Sequence, residues 1–158
     1  MKKVFCFALS MLTLLLTICF FVSAEDYTIT EVEYLEDGSY FVTTVSKQIN
    51  YNIASLFAKS SSITRTKSTG YYDSNGDAYW TASITATFTY NGTTSSCTTV
   101  SESKTIYNSS WRCTAANCYK SGATATGDFT FKRYASLIPV QTINRTLTLT
   151  CDKNGNVT

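Results

Sequence analysis

The side chains of this sequence that could carry out chemistry are carboxylates, thiols and phenols, because the chain contains no histidine. Histidine is the usual general base and a common metal ligand, so Ser-His-Asp and Cys-His nucleophilic sites are excluded within this chain. A catalytic pair of carboxylates is still open. The acidic residues, however, cluster near the N-terminus or lie in turns, as Asp73, Asp77 and Asp152 do. The sequence therefore predicts a protein that is not an enzyme and needs no cofactor.

The cysteines are the second reactive group. Two of the six lie in an apolar N-terminal run, and the other four are Cys97, Cys113, Cys118 and Cys151. An even number of cysteines in an exported chain indicates disulfides, and four cysteines allow three pairings, between which the sequence does not decide. The favoured prediction is Cys97–Cys151 with Cys113–Cys118. A zinc site is disfavoured, since the chain has neither a Cys-x-x-Cys pair nor a histidine.

Two turns resemble fragments of calcium-binding loops. Residues 73–77 read Asp-Ser-Asn-Gly-Asp and residues 152–156 read Asp-Lys-Asn-Gly-Asn. A calcium loop of the EF-hand type has its glycine at the sixth position and a glutamate at the twelfth, whereas here the glycine is fourth and no glutamate follows. Asp and Asn also stabilise tight turns by bonding their own backbone. We therefore expect ordinary turns and no metal.

Three tyrosines beside the first of these turns are candidate ligand contacts: Tyr71, Tyr72 and Tyr79. Exposed aromatic rings are a means of binding sugars by stacking. The neighbouring Trp80 alternates in phase with apolar residues, so we expect it in the core, with Tyr79 and one of the pair at 71 and 72 facing outward. The structural alternative is that these rings form cross-strand pairs that hold the hairpin in register.

The elements that would position these residues are β-strands. Apolar and Thr/Ser residues alternate over 80–90, 123–131 and 142–151, and a period of two is typical of half-buried antiparallel strands. Hairpin turns are expected at 36–39, 74–77 and 91–92, each of which contains Gly after Asp or Asn. We therefore predict an all-β fold, an antiparallel two-sheet sandwich of about eight strands.

One segment departs from this alternation. Ile49, Ile53, Leu56 and Phe57 recur at helical spacing, which predicts one short helix near 48–59. An irregular strand is the alternative for this segment.

The N-terminus has the three parts of a secretory signal. Two lysines precede an apolar run, which ends in Val-Ser-Ala at residues 22–24 before an acidic stretch. We expect residues 1–24 to be removed, which leaves a single β-sandwich domain at 25–158 with no membrane span. Losing Lys2 and Lys3 cancels the net charge of +2, and a balanced net charge gives no field that would attract the domain to nucleic acid or to an anionic membrane.

The remaining charge is unevenly distributed. Six acidic residues and no basic ones lie at the start of the expected domain: Glu25, Asp26, Glu31, Glu33, Glu36 and Asp37. The rest of the domain has a basic excess. We interpret the acidic segment as a solvated hairpin, with a patch that recruits a partner as the alternative.

Several stretches resemble a group of small exported proteins of Gram-positive, Clostridia-like bacteria, which have no assigned activity. The similarity rests on strand and turn segments at 34–44, 88–92, 107–111 and 141–156. It implies that Cys97 and Cys151 recur within that group and that Cys113 and Cys118 are an addition, which supports the favoured pairing. It implies no function.

The leading functional hypothesis is an uncharacterised, non-catalytic binding module, secreted or held noncovalently at the cell surface. Its expected partner is an extracellular protein or a glycan, and not nucleic acid. The alternatives are a secreted effector or inhibitor that acts on another protein or cell and, third, a glycan-active hydrolase.

Overall fold

Eight antiparallel strands form the part of the chain that the computed structural model describes, residues 27–47 and 60–158. The strands are β1 (Tyr27–Tyr34), β2 (Tyr40–Lys47), β3 (Ser61–Tyr72), β4 (Ala78–Tyr90), β5 (Ser95–Ile106), β6 (Trp111–Ser121), β7 (Thr124–Ala135) and β8 (Ile138–Thr150). The first five form one sheet in sequential order, and the last three form a second. The predicted all-β, two-sheet sandwich is confirmed. The predicted signal at 1–24 and helix at 48–59 lie outside the described residues.

Each strand pairs with its neighbour in sequence, so both sheets are simple meanders. The strands of the first sheet run alternately up and down, and so do those of the second. As a result, the turns at 35–39, 73–77 and 136–137 and the connection at 107–110 lie at one end of the sandwich, which we call the loop end. Within the described residues, no helix is long and apolar enough to cross a membrane.

The β3–β4 turn shows how local chemistry ends the strands. The Asp73 Oδ1 atom accepts hydrogen bonds from the backbone N–H groups of Asn75 and Asp77, both at 2.9 Å, and Gly76 has a φ of +93°, which favours glycine. The turn that begins at Asp152 repeats this arrangement, with Asp152 Oδ1 accepting from two backbone N–H groups at 2.8 Å. Both loops that resemble calcium-binding fragments therefore use their first carboxylate to close a turn.

The core is the space between the two sheets. Trp80 of β4 has no exposed surface, as expected from the alternation, and its ring stacks on Phe131 of β7 with centroids 3.7 Å apart and an interplanar angle of 7°. The other fully buried large side chains are Phe88, Phe129, Ile84 and Leu149. Since Trp80 and Phe131 come from different sheets, their contact joins the two halves of the sandwich.

Threonines cover the outer face of the five-stranded sheet, as the alternation predicts. Thr64 and Thr87 are cross-strand partners whose hydroxyls lie 2.9 Å apart, and Thr66 and Thr85 repeat the contact at 2.9 Å. Such cross-strand pairs contribute about 0.2–1 kcal/mol each, and the β-branched side chains also favour the extended backbone.

Gly127 of β7 lies directly against the opposite sheet, because a Cβ atom there would lie 2.3 Å from Ile84 Cγ2 on β4. We expect Gly127→Ala to destabilise the fold by about 1–3 kcal/mol through overpacking, measured by urea unfolding. Ile84→Ala in the same background removes the clashing methyl group, so the double variant should lose less stability than the sum of the single variants. Additive losses would contradict this explanation.

Candidate functional site

Of the three tyrosines singled out from the sequence, Tyr71 is not a surface residue. Only 2% of it is exposed; its hydroxyl donates to Ser39 Oγ at 3.0 Å, and its ring packs on Phe41 with centroids 4.8 Å apart. The expectation that Tyr71 contacts a ligand is therefore wrong. Because it lies on the inner face of β3, its neighbour Tyr72 faces outward.

Tyr72 belongs to a row of three tyrosines on the outer face of the five-stranded sheet, at the loop end. Tyr34, Tyr40 and Tyr72 are direct cross-strand partners on β1, β2 and β3. The ring centroids of Tyr34 and Tyr40 are 5.4 Å apart, and those of Tyr40 and Tyr72 are 5.3 Å apart with an interplanar angle of 12°. We call this row the tyrosine ladder. Tyr34, at its outer end, is 74% exposed.

The inner end of the ladder rests on a glycine. A Cβ atom at Gly70 would lie 2.7 Å from the Tyr72 ring, so the missing side chain lets the ring lie flat against the backbone of β3. Tyr40 lies between Tyr72 and Tyr34 and is half-buried. The ladder is therefore supported from below by the sheet and open to solvent at Tyr34, which makes it a rigid aromatic surface.

Tyr79 lies elsewhere, over the end of the core. The pairing of β3 and β4 shifts register next to Tyr79, so that Tyr72 pairs with Ala78. The Tyr79 ring contacts Tyr71 and Trp111, at centroid distances of 5.1 and 6.0 Å, and it is half-buried. Burial raises the pKa of its phenol, and the charge of Asp73 raises it further. Tyr79 thus covers the core at the loop end and does not face outward like Tyr72.

The acidic turn between β1 and β2 is locally satisfied. Asp37 Oδ1 accepts hydrogen bonds from the N–H group of Ser39 at 3.0 Å and from its hydroxyl at 2.5 Å. These bonds hold the pKa of the Asp37 carboxyl below its usual value, and the Arg133 charge adds to the effect. This carboxylate stabilises a turn and is not positioned as a proton donor.

A polar cleft lies where β1 and β2 extend past β8. It has a volume of roughly 190 Å3, and seven of its lining residues are polar or charged: Glu31, Glu33, Thr43, Lys67, Thr69, Arg145 and Thr146. The Arg145 guanidinium is 2.9 Å from Glu33 Oε2 and lies over the Phe41 ring, 3.4 Å from its centroid. Arg145 interrupts the alternating apolar face of β8 and lies at the rim of the sheet, in this cleft.

Lys67 closes the inner side of this polar cleft. Its Nζ donates to the Thr148 carbonyl at 3.2 Å and so joins β3 to the free edge of β8. Glu31 and Glu33 are the carboxylates of the cleft, and Glu33 is held by Arg145. The arrangement is therefore a charged contact between the sheets, with one carboxylate already paired.

Cys113 and Cys118 lie on the same strand, β6. Five residues of extended strand span about 16 Å, whereas the Cα atoms of a disulfide are about 4.4–6.8 Å apart. The predicted Cys113–Cys118 pairing is therefore wrong for this fold. The Cys118 thiol instead donates to Glu102 Oε2 at 3.3 Å, and burial raises the pKa of both thiols.

Cys97 and Cys151 are brought together at the opposite end of the sandwich from the loops. Both are buried in the core, at 4% and 2% exposure, and both are free thiols in the structure. Their backbone N–H groups donate to the consecutive carbonyls of Gly122 and Ala123, at 2.8 and 3.0 Å. Burial raises the pKa of each thiol, and a charge on Cys97 would raise that of Cys151 further.

Comparisons with known proteins add no relative: no protein-family model, curated protein or solved structure matches this chain. The class that the structure defines is an eight-stranded, two-sheet β-sandwich with an aromatic surface at one end.

Sequence reasoning missed two members of the tyrosine ladder, Tyr34 and Tyr40. A signal was present, since Tyr34 and Tyr40 each lie three positions from Asp37, the middle residue of the turn at 35–39, and the residues that flank a hairpin turn symmetrically become cross-strand partners. The polar cleft was also missed. The sequence signal for the cleft was in β3, where Arg65, Lys67 and Thr69 alternate with residues that face outward. This alternation places two charged side chains on the inner face of the sheet.

Proposed function

We propose that this protein is a non-catalytic, exported binding module, secreted or held noncovalently at the cell surface, and that it contacts an extracellular glycan through the tyrosine ladder. The single observation that carries the proposal is the ladder itself, three adjacent rings on a rigid sheet with Tyr34 74% exposed. Tyrosine combines an apolar face with a hydroxyl that forms hydrogen bonds, so it suits a ligand with apolar C–H faces and many hydroxyls.

The rigidity of the sheet supports this role. Tyr40 and Tyr72 are packed against each other and against β3, so they lose little side-chain freedom when a ligand binds. Tyrosine side chains supply a large contact area at low entropic cost for the same reason. The adjoining turns at 35–39 and 73–77 add backbone and side-chain polar groups beside the rings.

The chemistry of the acidic groups supports a non-catalytic role. In the polar cleft, Arg145 holds Glu33 at 2.9 Å. The carboxylates of Asp37 and Asp73 close their own turns. A general acid of a glycosidase needs a carboxyl whose pKa is raised, whereas the pKa of Asp37 is lowered.

We also propose that Cys97 and Cys151 form a disulfide in the exported protein. An oxidising compartment favours the bond. Its support in the structure is that both thiols are buried in the core and that their backbone N–H groups are held by adjacent carbonyls.

The glycan proposal predicts that Tyr34→Ala weakens binding at least about tenfold. Truncating an aromatic side chain that contributes strongly to an interface costs about 1.4 kcal/mol or more of binding free energy, which corresponds to that factor. The measurement is a glycan array with the wild-type protein, followed by titration calorimetry of the best ligand with each variant. Tyr34 is exposed, so its truncation should leave the unfolding midpoint nearly unchanged.

Tyr119→Ala is the matched control, since Tyr119 is also exposed, at 52%, but lies near the far end of β6. It should bind the same glycan as the wild type does. Equal binding by the Tyr34→Ala variant and the wild type, or a loss of binding in Tyr119→Ala alone, would contradict the assignment of the glycan contact to the tyrosine ladder. An array with no bound glycan, together with capture of a single protein partner, would assign the module to a protein ligand.

A further inference from the structure

The tip of the β7–β8 hairpin exposes four consecutive apolar residues, 137–140. Leu137 is 86% exposed, Ile138 68% and Val140 50%, and Pro139 is also exposed. Single exposed apolar side chains are ordinary, but a contiguous exposed group marks a contact with a protein or a membrane. The tyrosine ladder lies on the other sheet, so this surface is separate from the proposed glycan contact.

The turn at this tip is unusual in its residues. Ser136 and Leu137 connect β7 to β8, and Ser136 has a φ of +59°, the only positive φ of a non-glycine residue among those described. Two-residue hairpin turns favour Gly, Asn and Asp, because these residues tolerate a positive φ. Here the turn instead contains a leucine that is 86% exposed.

Two basic residues flank the hairpin on the outer face of the three-stranded sheet. Arg112 of β6 and Lys132 of β7 are direct cross-strand partners, and neither takes part in an ion pair within the described part of the chain. Like charges in this arrangement destabilise a sheet unless an anion lies against them. The Arg112 guanidinium lies over the Tyr134 ring, 5.0 Å from its centroid, so it is held beside the hairpin. We call Arg112 and Lys132 the basic pair.

The dimensions suit the surface of a bilayer. Three steps of about 3.3 Å along a strand separate Leu137 from Val140, so the apolar tip extends over about 10 Å. Interfacial segments bury their apolar side chains about 5–10 Å into the boundary between headgroups and acyl chains. Thr142 is the cross-strand partner of Lys132, so the basic pair lies two residues beyond Val140 along the hairpin, where the phosphates would lie.

We propose that this protein binds peripherally to anionic lipid bilayers, with residues 137–140 inserted among the headgroups and the basic pair on lipid phosphates. Charge complementarity selects this occupant, because an apolar tip alone would suit any apolar surface, whereas two unpaired cations beside it require an anionic one. The acidic turns at 36–37 and 73–77 also lie at the loop end, but they belong to the five-stranded sheet, whereas the basic pair is on the outer face of the three-stranded sheet. A bilayer that receives the tip and lies toward that outer face therefore meets the basic pair before the acidic turns.

The test is cosedimentation of the purified exported protein with vesicles of phosphatidylcholine and with vesicles of mixed phosphatidylcholine and phosphatidylglycerol. Binding is expected to the mixed vesicles and to fall as salt is raised. Leu137→Ser with Ile138→Ser should weaken it at least about tenfold, and Arg112→Gln with Lys132→Gln should remove the preference for anionic lipid. Val32→Ser is the control, since Val32 is an exposed apolar residue, at 44%, on β1.

Insertion can also be observed directly. Leu137→Trp places an indole at the tip, and its fluorescence should be quenched by brominated lipid in the mixed vesicles, while the buried Trp80 and Trp111 should not be. The proposal is overturned if the wild-type protein sediments with neither vesicle, if the Leu137/Ile138 variant binds as tightly as the wild type, or if the indole at 137 is not quenched.

Discussion

Trp80→Ala is expected to cost about 3–5 kcal/mol of folding free energy, the range for truncating a buried large aromatic side chain. The residue has no exposed surface and stacks on Phe131 of the opposite sheet at 3.7 Å. It also contacts Phe41 and Trp111, with ring centroids 6.1 and 6.4 Å away. The free energy of unfolding of a small domain is about 5–15 kcal/mol in total, so this one substitution removes a large share of it. Urea unfolding at constant slope would measure the loss.

Trp80→Phe separates packing from hydrogen bonding, and it remains informative if the alanine variant does not fold. The Trp80 Nε1 atom is buried and has no hydrogen-bond partner among residues 27–47 and 60–158, and an unsatisfied buried donor costs about 1–3 kcal/mol. Phenylalanine removes this donor and keeps an aromatic ring that can stack on Phe131. The loss of folding free energy in Trp80→Phe should therefore be much smaller than that in Trp80→Ala. Tyr107→Ala, at an exposed site, should change the midpoint little. Equal losses for Trp80→Ala and Trp80→Phe would contradict the stacking argument.

The strands were predictable because their information is local. Over residues 80–90, every second side chain is apolar, and the structure buries Trp80, Ala82, Ile84, Ala86 and Phe88 in turn. A period of two fixes which residues share a face without any knowledge of the partners. The turns carry equally local signals, since Asp73 and Asp152 bond the backbone only a few residues away. Short connections then account for the pairing of β1 with β2, of β3 with β4, of β4 with β5, of β6 with β7 and of β7 with β8. The equally short connection from β5 to β6 instead passes from one sheet to the other.

The contacts between the sheets were not predictable in the same way. The stack of Trp80 on Phe131 and the pairing of Glu33 with Arg145 join residues that are far apart in sequence. Which strand faces which depends on how two meanders are stacked, and no period within a strand encodes this. The register shift beside Tyr79 is a smaller case: it turns Tyr79 from the expected outer face onto the end of the core.

The cysteines show where a local argument failed. Cys113 and Cys118 are only five residues apart in the sequence. An extended strand, however, separates residues that a turn would bring together, and both cysteines lie within β6. The two cysteines that do converge, Cys97 and Cys151, lie on different sheets, so only the fold brings them together.

The predicted Cys97–Cys151 disulfide has the other large expected effect. In the chain-entropy model, closing a loop of this length stabilises the folded state by about 4 kcal/mol, because it restricts the unfolded chain. The oxidised protein should therefore unfold at a clearly higher urea concentration than the reduced protein. Peptide mapping without reductant should find Cys97 joined to Cys151, and a link from Cys97 to Cys113 or Cys118 would refute the pairing.

The double variant Cys113→Ser/Cys118→Ser is the matched control, since it leaves only the proposed pair. It should keep both the cross-linked peptide and the difference in stability between the oxidised and reduced forms. The reduced, folded protein provides an independent measurement. Burial raises the pKa of the Cys97 and Cys151 thiols, and the thiolate is the reactive form, so both should be alkylated slowly until the protein unfolds. Rapid alkylation of Cys97 and Cys151 in the folded state would show that the two thiols are not buried together. That result would contradict the structural argument for the Cys97–Cys151 disulfide.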